Sequence, residues 1–179
     1  MLKRNKRILS ILSVLFVLVI FLACSTTSAA DAPTSSPSKI GQRTKTSGCV
    51  SSNALPDSAC TPGAIFPDAT KEQICQSGYS SQVRNVTDAT KNDVYAEYGV
   101  THHSAGQYEV DHLISLELGG SNDIANLWPE PADPRPGFHE KDKVENYMHE
   151  QVCSGAISLQ QAQFEIATDW MAIYQRLPK

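Results

Sequence analysis

The sequence predicts an α+β domain whose short strands and helices are cross-linked by disulfides. Four cysteines follow an apolar N-terminal segment, short runs near the middle of the chain alternate between apolar and polar residues, and the C-terminal part has helical spacing. Residues 51–179 have the size of one ordinary domain.

The first part of the chain, residues 1–23, predicts an export signal. A cationic start at residues 3–7 precedes an apolar run of sixteen residues ending at Ala23. Because a membrane-spanning helix needs about 20 apolar residues, an uncleaved anchor is the weaker alternative. Phe21-Leu-Ala-Cys24 resembles the lipobox of bacterial lipoproteins, which implies cleavage before Cys24 and a lipid on its sulfur; a competing cleavage site at Ser28-Ala-Ala30 would release a secreted protein.

Residues 24–50 predict a flexible linker, because they are mostly Ser, Thr, Ala, Pro and Lys and have little apolar surface to bury. Without its four signal-region cations the chain has 11 basic and 19 acidic residues, a net charge of −8. That charge argues against tight, sequence-independent coating of DNA. It leaves room for a hydrolase that uses a metal ion and a few local cations such as Arg135, Lys141 and Lys143, although a pair of helix-surface lysines is more often simply solvated.

Apart from Cys24, the cysteines indicate two disulfides, since their number is even and the chain is exported. Three pairings are open. We favour Cys49–Cys60 and Cys75–Cys153, the second of which closes a long loop and contributes around 4 kcal/mol in the chain-entropy account. A structural zinc site is the competing interpretation, disfavoured because no C-x-x-C spacing occurs.

Four helices are predicted from caps and periodicity. A capping box at Thr70–Gln73 opens a short helix, and Asp88 starts a second that Gly99 ends. Residues 140–152 carry apolar side chains along one helical stripe. A further capping box at Ser158 opens the last helix.

Three strands are predicted, over residues 78–86, 108–112 and 124–128, the last halted by Pro129. In the middle strand Asp111 and His112 occupy opposite faces. Both tryptophans, Trp128 and Trp170, are expected in the core.

The most informative stretch for function begins at that middle strand. Asp111 and His112 stand side by side at its end, Gly119-Gly120 makes a turn, and Asn126 returns fourteen residues after the histidine. A metal-assisted hydrolase needs such groups: a carboxylate to hold a hard cation, a base to deprotonate water and an amide to orient the base.

The run Glu109-Val-Asp-His-Leu-Ile, then Leu-Gly-Gly, then Asn126-Leu, resembles the HNH family of ββα-metal endonucleases. The wider likeness, from Pro62 to Trp170, is to exported bacterial HNH-type proteins. The resemblance implies a small ββα-metal core, His112 as general base and Asp111 as a ligand of Mg²⁺, with Mn²⁺ or Zn²⁺ as alternatives. It also implies that the strand ends at this pair, so that both side chains reach one site, and that Asn126 orients the imidazole by a hydrogen bond.

For the third metal position the resemblance implies a residue at the start of the next helix. His139 is the first choice there, and Asp142 or Glu145 are replacements. Glu109 is expected to support the site by hydrogen bonding. The expected function is that of an exported endonuclease acting on nucleic acid, DNA in the first instance, and tethered to the membrane through Cys24. The alternative is a cell-surface binding module that has this fold without catalysis.

Overall fold

The computed structural model describes residues 40–178. The predicted signal, Cys24 and most of the linker therefore lie outside the described residues. Within that range no helix is both long and apolar enough to cross a membrane. The elements are helices α1 (Lys71–Ile74), α2 (Tyr79–Val83) and α3 (Asp88–Glu97), strands β1 (Tyr108–His112) and β2 (Leu127–Pro131), and helices α4 (Phe138–Ser154) and α5 (Leu159–Tyr174). Short 3-10 turns cover Leu116–Leu118 and Ile124–Asn126.

The two strands form an antiparallel hairpin, so the domain combines helices with a small sheet as the α+β prediction states. Glu109 is opposite Glu130, Asp111 is opposite Trp128, and His112 is opposite Leu127. Residues that are directly opposite share a face of the sheet, and neighbours along a strand alternate between faces. The carboxylates of Glu109, Asp111 and Glu130 therefore share one face.

Two predicted strands are wrong in part. Residues 79–83 form helix α2 rather than a strand, because the apolar Tyr79 and Val83 are four residues apart and match helical spacing as well as strand alternation. Strand β2 starts later than predicted and runs past Pro129 to Pro131. Each strand of a two-stranded sheet has a free edge, where the missing N–H of proline breaks no ladder bond.

The predicted helices are confirmed, with small shifts at their ends. In the capping box of α1, the Thr70 hydroxyl accepts from the Gln73 amide at 3.3 Å, and the Gln73 side chain accepts from the Thr70 amide at 2.9 Å. Helix α3 is capped by Thr87 rather than Asp88. Ser158 caps α5 by accepting from the Gln161 amide at 3.0 Å.

The core forms where α4 and α5 pack together over the 3-10 turn of the hairpin loop. Trp128 and Trp170 are both fully buried, as predicted. The buried apolar residues of this cluster include Ile114, Leu118, Val144, Met148, Val152, Ile166 and Trp170. Lys141 lies on the same stripe of α4, three residues before Val144 and seven before Met148, and there it meets the hairpin at Asp111.

Both favoured disulfides are present. Cys49–Cys60 has a Cα–Cα distance of 6.1 Å, and Cys75–Cys153, which ties the end of α1 to α4, has one of 5.7 Å. The end of the predicted linker belongs to the domain, because the Arg43 side chain donates to the Cys60 carbonyl at 2.8 Å and pairs with Glu97. The domain thus begins several residues before position 51.

Candidate active site

The loop between the two strands is held by Asn126, whose side chain is fully buried. Its oxygen accepts from the amides of Ile114 at 2.9 Å and Ala64 at 3.3 Å. Its nitrogen donates to the carbonyls of Ile114 and Ser121, each at 2.9 Å. All of these partners are backbone groups, so Asn126 fixes the path of the loop and its predicted hydrogen bond to His112 is wrong.

The amide beside the His112 ring belongs to Asn122, whose oxygen lies 3.2 Å from His112 Nε2. The Asn122 nitrogen donates to the Val83 carbonyl at 2.7 Å, and its oxygen accepts from the Asn85 amide at 3.1 Å. These two bonds fix the amide orientation, so the imidazole must donate from Nε2. The neutral ring then carries its lone pair on Nδ1.

His112 is 1% exposed. Burial disfavours the charged imidazolium and lowers the pKa of His112 to about 4, although the negative charge of Asp111 acts in the opposite direction. At neutral pH the ring is therefore uncharged. Its Nδ1 is able to accept a proton, as a general base requires.

On the other face of the hairpin, Asp111 meets the ammonium of Lys141, which is completely buried. Lys141 Nζ lies 2.8 Å from Asp111 Oδ2 and 2.7 Å from the backbone carbonyl of His112, and it also pairs with Glu145. Burial alone would raise the pKa of Asp111, but the charge of Lys141 together with side-chain hydrogen bonds from Glu130 and Lys141 outweighs it and holds that pKa below its usual value. The charge on the predicted metal ligand is thus already balanced by one internal cation.

A second carboxyl, Glu130, lies on the same face as Asp111 and is fully buried. Within residues 40–178 no donor group lies within hydrogen-bond distance of its carboxyl oxygens, and in the protonated state Glu130 itself donates to the Asp111 carboxylate. Burial raises the pKa of Glu130 well above its usual value, and the pKa of Glu145 rises to about 7 for the same reason. These two residues form one buried cluster with Asp111 and Lys141. Not all three carboxyl groups of the cluster are therefore ionised.

The oxygens of this cluster are of the type that Mg²⁺ and Mn²⁺ prefer. Their spacing does not form a ready metal site, because among residues 40–178 the one group of three His, Cys, Asp or Glu donor atoms within 4.8 Å of one another is that of Cys75, His149 and Cys153. The ammonium of Lys141 contacts Asp111 and Glu145 instead.

The structure does not bring the Asp111 and His112 side chains together on one face. Strand β1 continues through His112, which pairs with Leu127, so the alternation of the strand still holds at this pair. Strand β1 does end at His112, but the expectation that both side chains reach one site there is wrong. The two residues are linked instead through Lys141, which binds the side chain of Asp111 and the backbone of His112.

Of the three residues predicted for the third metal position, Glu145 is the one held beside Asp111. His139 is exposed, with its ring 4.3 Å from that of Phe138. Asp142 is exposed as well, although partial burial raises its pKa. His139, the first choice, and Asp142 therefore take no part in the buried carboxyl cluster, and Glu145 does.

The cations predicted from the sequence differ in their exposure to solvent. Lys143 and Arg135 are solvated, with 61% and 70% of their side chains exposed, each near Glu140. Lys141, which the sequence predicts to be a local cation like them, has a buried side chain. Glu109, expected to support the site, lines a cavity of about 320 Å³ together with Arg84, Lys91 and Tyr95.

Three residues of the site escape sequence reasoning: Asn122, Glu130 and Lys141. Glu130 had a detectable signal, since a hairpin centred on Gly119-Gly120 puts it opposite Glu109. Asn122 and Lys141 had none, because their roles depend on the path of the loop and on how α4 crosses the hairpin.

Comparison of the chain with protein-family models, curated proteins and solved structures finds no significant match. The functional assignment therefore rests on the chemistry of the site and on the motif in the sequence.

Proposed function

We propose that this protein is a metal-dependent endonuclease that hydrolyses phosphodiester bonds of nucleic acid outside the cytoplasm. The observation that carries the proposal is the state of His112: a neutral imidazole, fixed by Asn122 with Nδ1 unprotonated, next in sequence to the carboxylate of a buried acidic cluster. The base and the acidic cluster lie at the same end of the hairpin, on opposite faces of it, so the proposed reaction needs a substrate that reaches both around the strand end.

In the proposed reaction His112 accepts a proton from the attacking water at Nδ1. Its lowered pKa keeps it unprotonated at working pH, and the Asn122 hydrogen bond prevents the ring from flipping. The charge of Asp111 favours the imidazolium that forms. A positioned general base contributes about 10²- to 10⁴-fold to a rate.

The residues that would hold the metal are Asp111, Glu130 and Glu145, whose oxygens would have to draw together around the ion in place of the Lys141 ammonium. Mg²⁺ is the first expectation, with Mn²⁺ or Zn²⁺ as alternatives. A divalent ion would supply neutralisation of the negative charge on the phosphate. Lys141 keeps the carboxylates together when the cluster has no other cation.

DNA is the first expectation for the substrate. Arg84 lies near enough to His112 for its charge to affect that pKa, and it shares the 320 Å³ cavity with Lys91 and Tyr95. Such local cations would contact phosphates despite the net charge of −8. Because few cations take part, binding should be weak and metal-assisted.

An exported location agrees with the two disulfides, which are typical of oxidising compartments. We extend the proposal to attachment at the membrane through a lipid on Cys24. Detergent partitioning of wild type and Cys24→Ala tests this part.

The nuclease proposal is tested by incubating supercoiled plasmid with the purified chain and Mg²⁺, Mn²⁺ or Zn²⁺, with and without EDTA. We expect nicking that EDTA stops and that Asp111→Asn reduces at least about tenfold. His139→Ala is the matched control, and it should cut like wild type because His139 is exposed. Equal cutting in EDTA would rule out the metal.

A second candidate, a non-catalytic binding module, is favoured by two facts: His112 is 1% exposed and Lys141 already balances Asp111. If this candidate is right, the purified chain should be folded, as measured by circular dichroism. It should also leave the plasmid intact with each of the three metals.

A further inference from the structure

The two disulfides differ in their access to solvent. Cys49 and Cys60 are buried, whereas Cys75 is exposed and Cys153 is partly exposed. Thiol–disulfide exchange requires a thiolate to reach one of the two sulfurs. A dissolved dithiol should therefore reduce Cys75–Cys153 well before Cys49–Cys60.

Of the two disulfides, the accessible one, Cys75–Cys153, is the one with a histidine beside it. His149 precedes Cys153 by one turn of α4, and its Nε2 lies 3.4 Å from Cys153 Sγ and 3.0 Å from the Ile74 carbonyl. Ligand atoms of Cys75, His149 and Cys153 lie within 4.8 Å of one another. Two side chains at i and i+4 on one helix face are suited to a shared ion.

These separations approach those of a tetrahedral zinc site. With Zn–S about 2.3 Å and Zn–N about 2.0 Å, a sulfur and a nitrogen ligand lie about 3.5 Å apart. The pair His149–Cys153 is close to that spacing already. After reduction the two sulfurs have to move apart to about 3.8 Å for the same bond lengths, and Cys75 Sγ, within 4.8 Å of the His149 nitrogen, has to settle at the sulfur–nitrogen distance.

A carboxylate outside this group of three lines a cavity beside two of its members and would have to move in to become a fourth donor. Glu117 lines a cavity of about 350 Å³ together with Cys75 and His149. Its Oε2 is buried and has no hydrogen-bond partner among residues 40–178. An unpartnered carboxylate oxygen in this position is a donor for a cation.

We propose that reduction of Cys75–Cys153 by a dithiol converts this cross-link into a Zn²⁺ site formed by Cys75, Cys153 and His149, with Glu117 as fourth ligand. The dithiol gives two electrons and two protons to the S–S bond and becomes a cyclic disulfide. Zn²⁺ then displaces the two thiol protons and forms two Zn–S bonds. His149 gives up the hydrogen bond of its Nε2 to the Ile74 carbonyl, the ring proton moves to Nδ1 through solvent, and Nε2 binds the ion with its free lone pair. The end of α1 stays attached to α4 in both redox states, and the site is independent of the proposed nuclease chemistry.

The test uses the intact chain and Co²⁺ as a spectroscopic substitute for Zn²⁺. The protein is reduced briefly with dithiothreitol and desalted without oxygen, and alkylation with mass spectrometry identifies the free cysteines. We expect free thiols at Cys75 and Cys153, one Co²⁺ per reduced chain with a thiolate-to-metal absorption band, and no band before reduction. Zn²⁺ should abolish the band by displacement.

Variants assign the ligands. His149→Gln should weaken Co²⁺ binding about tenfold or more, and Glu117→Gln should change the spectrum as water replaces the carboxylate. The double variant Cys49→Ala/Cys60→Ala is the matched control and should retain the band.

Absence of the band in the reduced wild-type chain, or full affinity in His149→Gln, would overturn the proposal. If reduction unfolds the chain, Zn²⁺ should restore its far-ultraviolet circular dichroism. Failure of Zn²⁺ to do so would also overturn it.

Discussion

Replacing Lys141 by methionine removes the one cation found inside the buried acidic cluster. The variant keeps most of the side-chain volume but leaves Asp111 and Glu145 without their shared ammonium. Removing one partner of a buried ion pair typically costs about 3–5 kcal/mol. For a domain of this size that corresponds to a fall in Tm of about 12–20 °C.

Lys143→Met is the matched control, because Lys143 is two residues away on the same helix but is 61% exposed and 3.7 Å from its acidic neighbour. An exposed pair of this kind contributes at most about 1 kcal/mol. Differential scanning calorimetry of both variants at pH 7 and pH 5 is the measurement. A Lys141→Met Tm within about 2 °C of the control would refute the reasoning.

The comparison of the two pH values also tests the direction in which the stability loss of Lys141→Met changes with pH. Without Lys141 the buried carboxyls of Asp111 and Glu145 should have pKa values above those of the unfolded chain. The folded state then binds more protons than the unfolded state, so stability rises as pH falls. The deficit of Lys141→Met should therefore be smaller at pH 5 than at pH 7.

Three further predictions concern stability, each measured by urea denaturation. Gly120→Ala should cost at least about 2 kcal/mol, because a Cβ there collides with a backbone carbonyl; an unchanged midpoint would contradict this loop geometry. Asn126→Ala should cost about 2–3 kcal/mol, because it leaves buried backbone groups unpaired, and a loss below about 0.5 kcal/mol would count against a bracing role. Wild type should lose about 3 kcal/mol relative to His112→Gln as pH falls from 6.5 to 4, because the unfolded chain protonates its histidine first; parallel pH profiles would show that the pKa is not lowered.

Much of the helical framework was predictable because its signals are local. The capping box at Thr70 and the N-cap at Ser158 each satisfy free amides of their own first turn, whatever the rest of the chain does. The alternation of residues 108–112 likewise describes a strand with two different faces. Residues 79–83 were misassigned because so short a segment fits both periods, and packing decides between them.

The site was predictable in its residues but less so in its contacts. Asp111 and His112 belong to the hairpin as expected, yet the amide that meets the imidazole is Asn122 rather than Asn126, four residues later. Both asparagines lie in the same loop, and only its three-dimensional path distinguishes them. Lys141 looked like a solvated helix residue, because its burial depends on α4 crossing a hairpin that is 30 residues away in sequence.

The most direct test of the central claim is single-turnover cleavage of plasmid DNA at pH 7 by wild type and His112→Ala in the same metal buffer. If the neutral imidazole is the base, His112→Ala should cut about 10²- to 10⁴-fold more slowly while binding DNA equally well. Equal cleavage rates for the two proteins, or no cleavage by a folded wild-type chain with any of the three metals, would contradict the account.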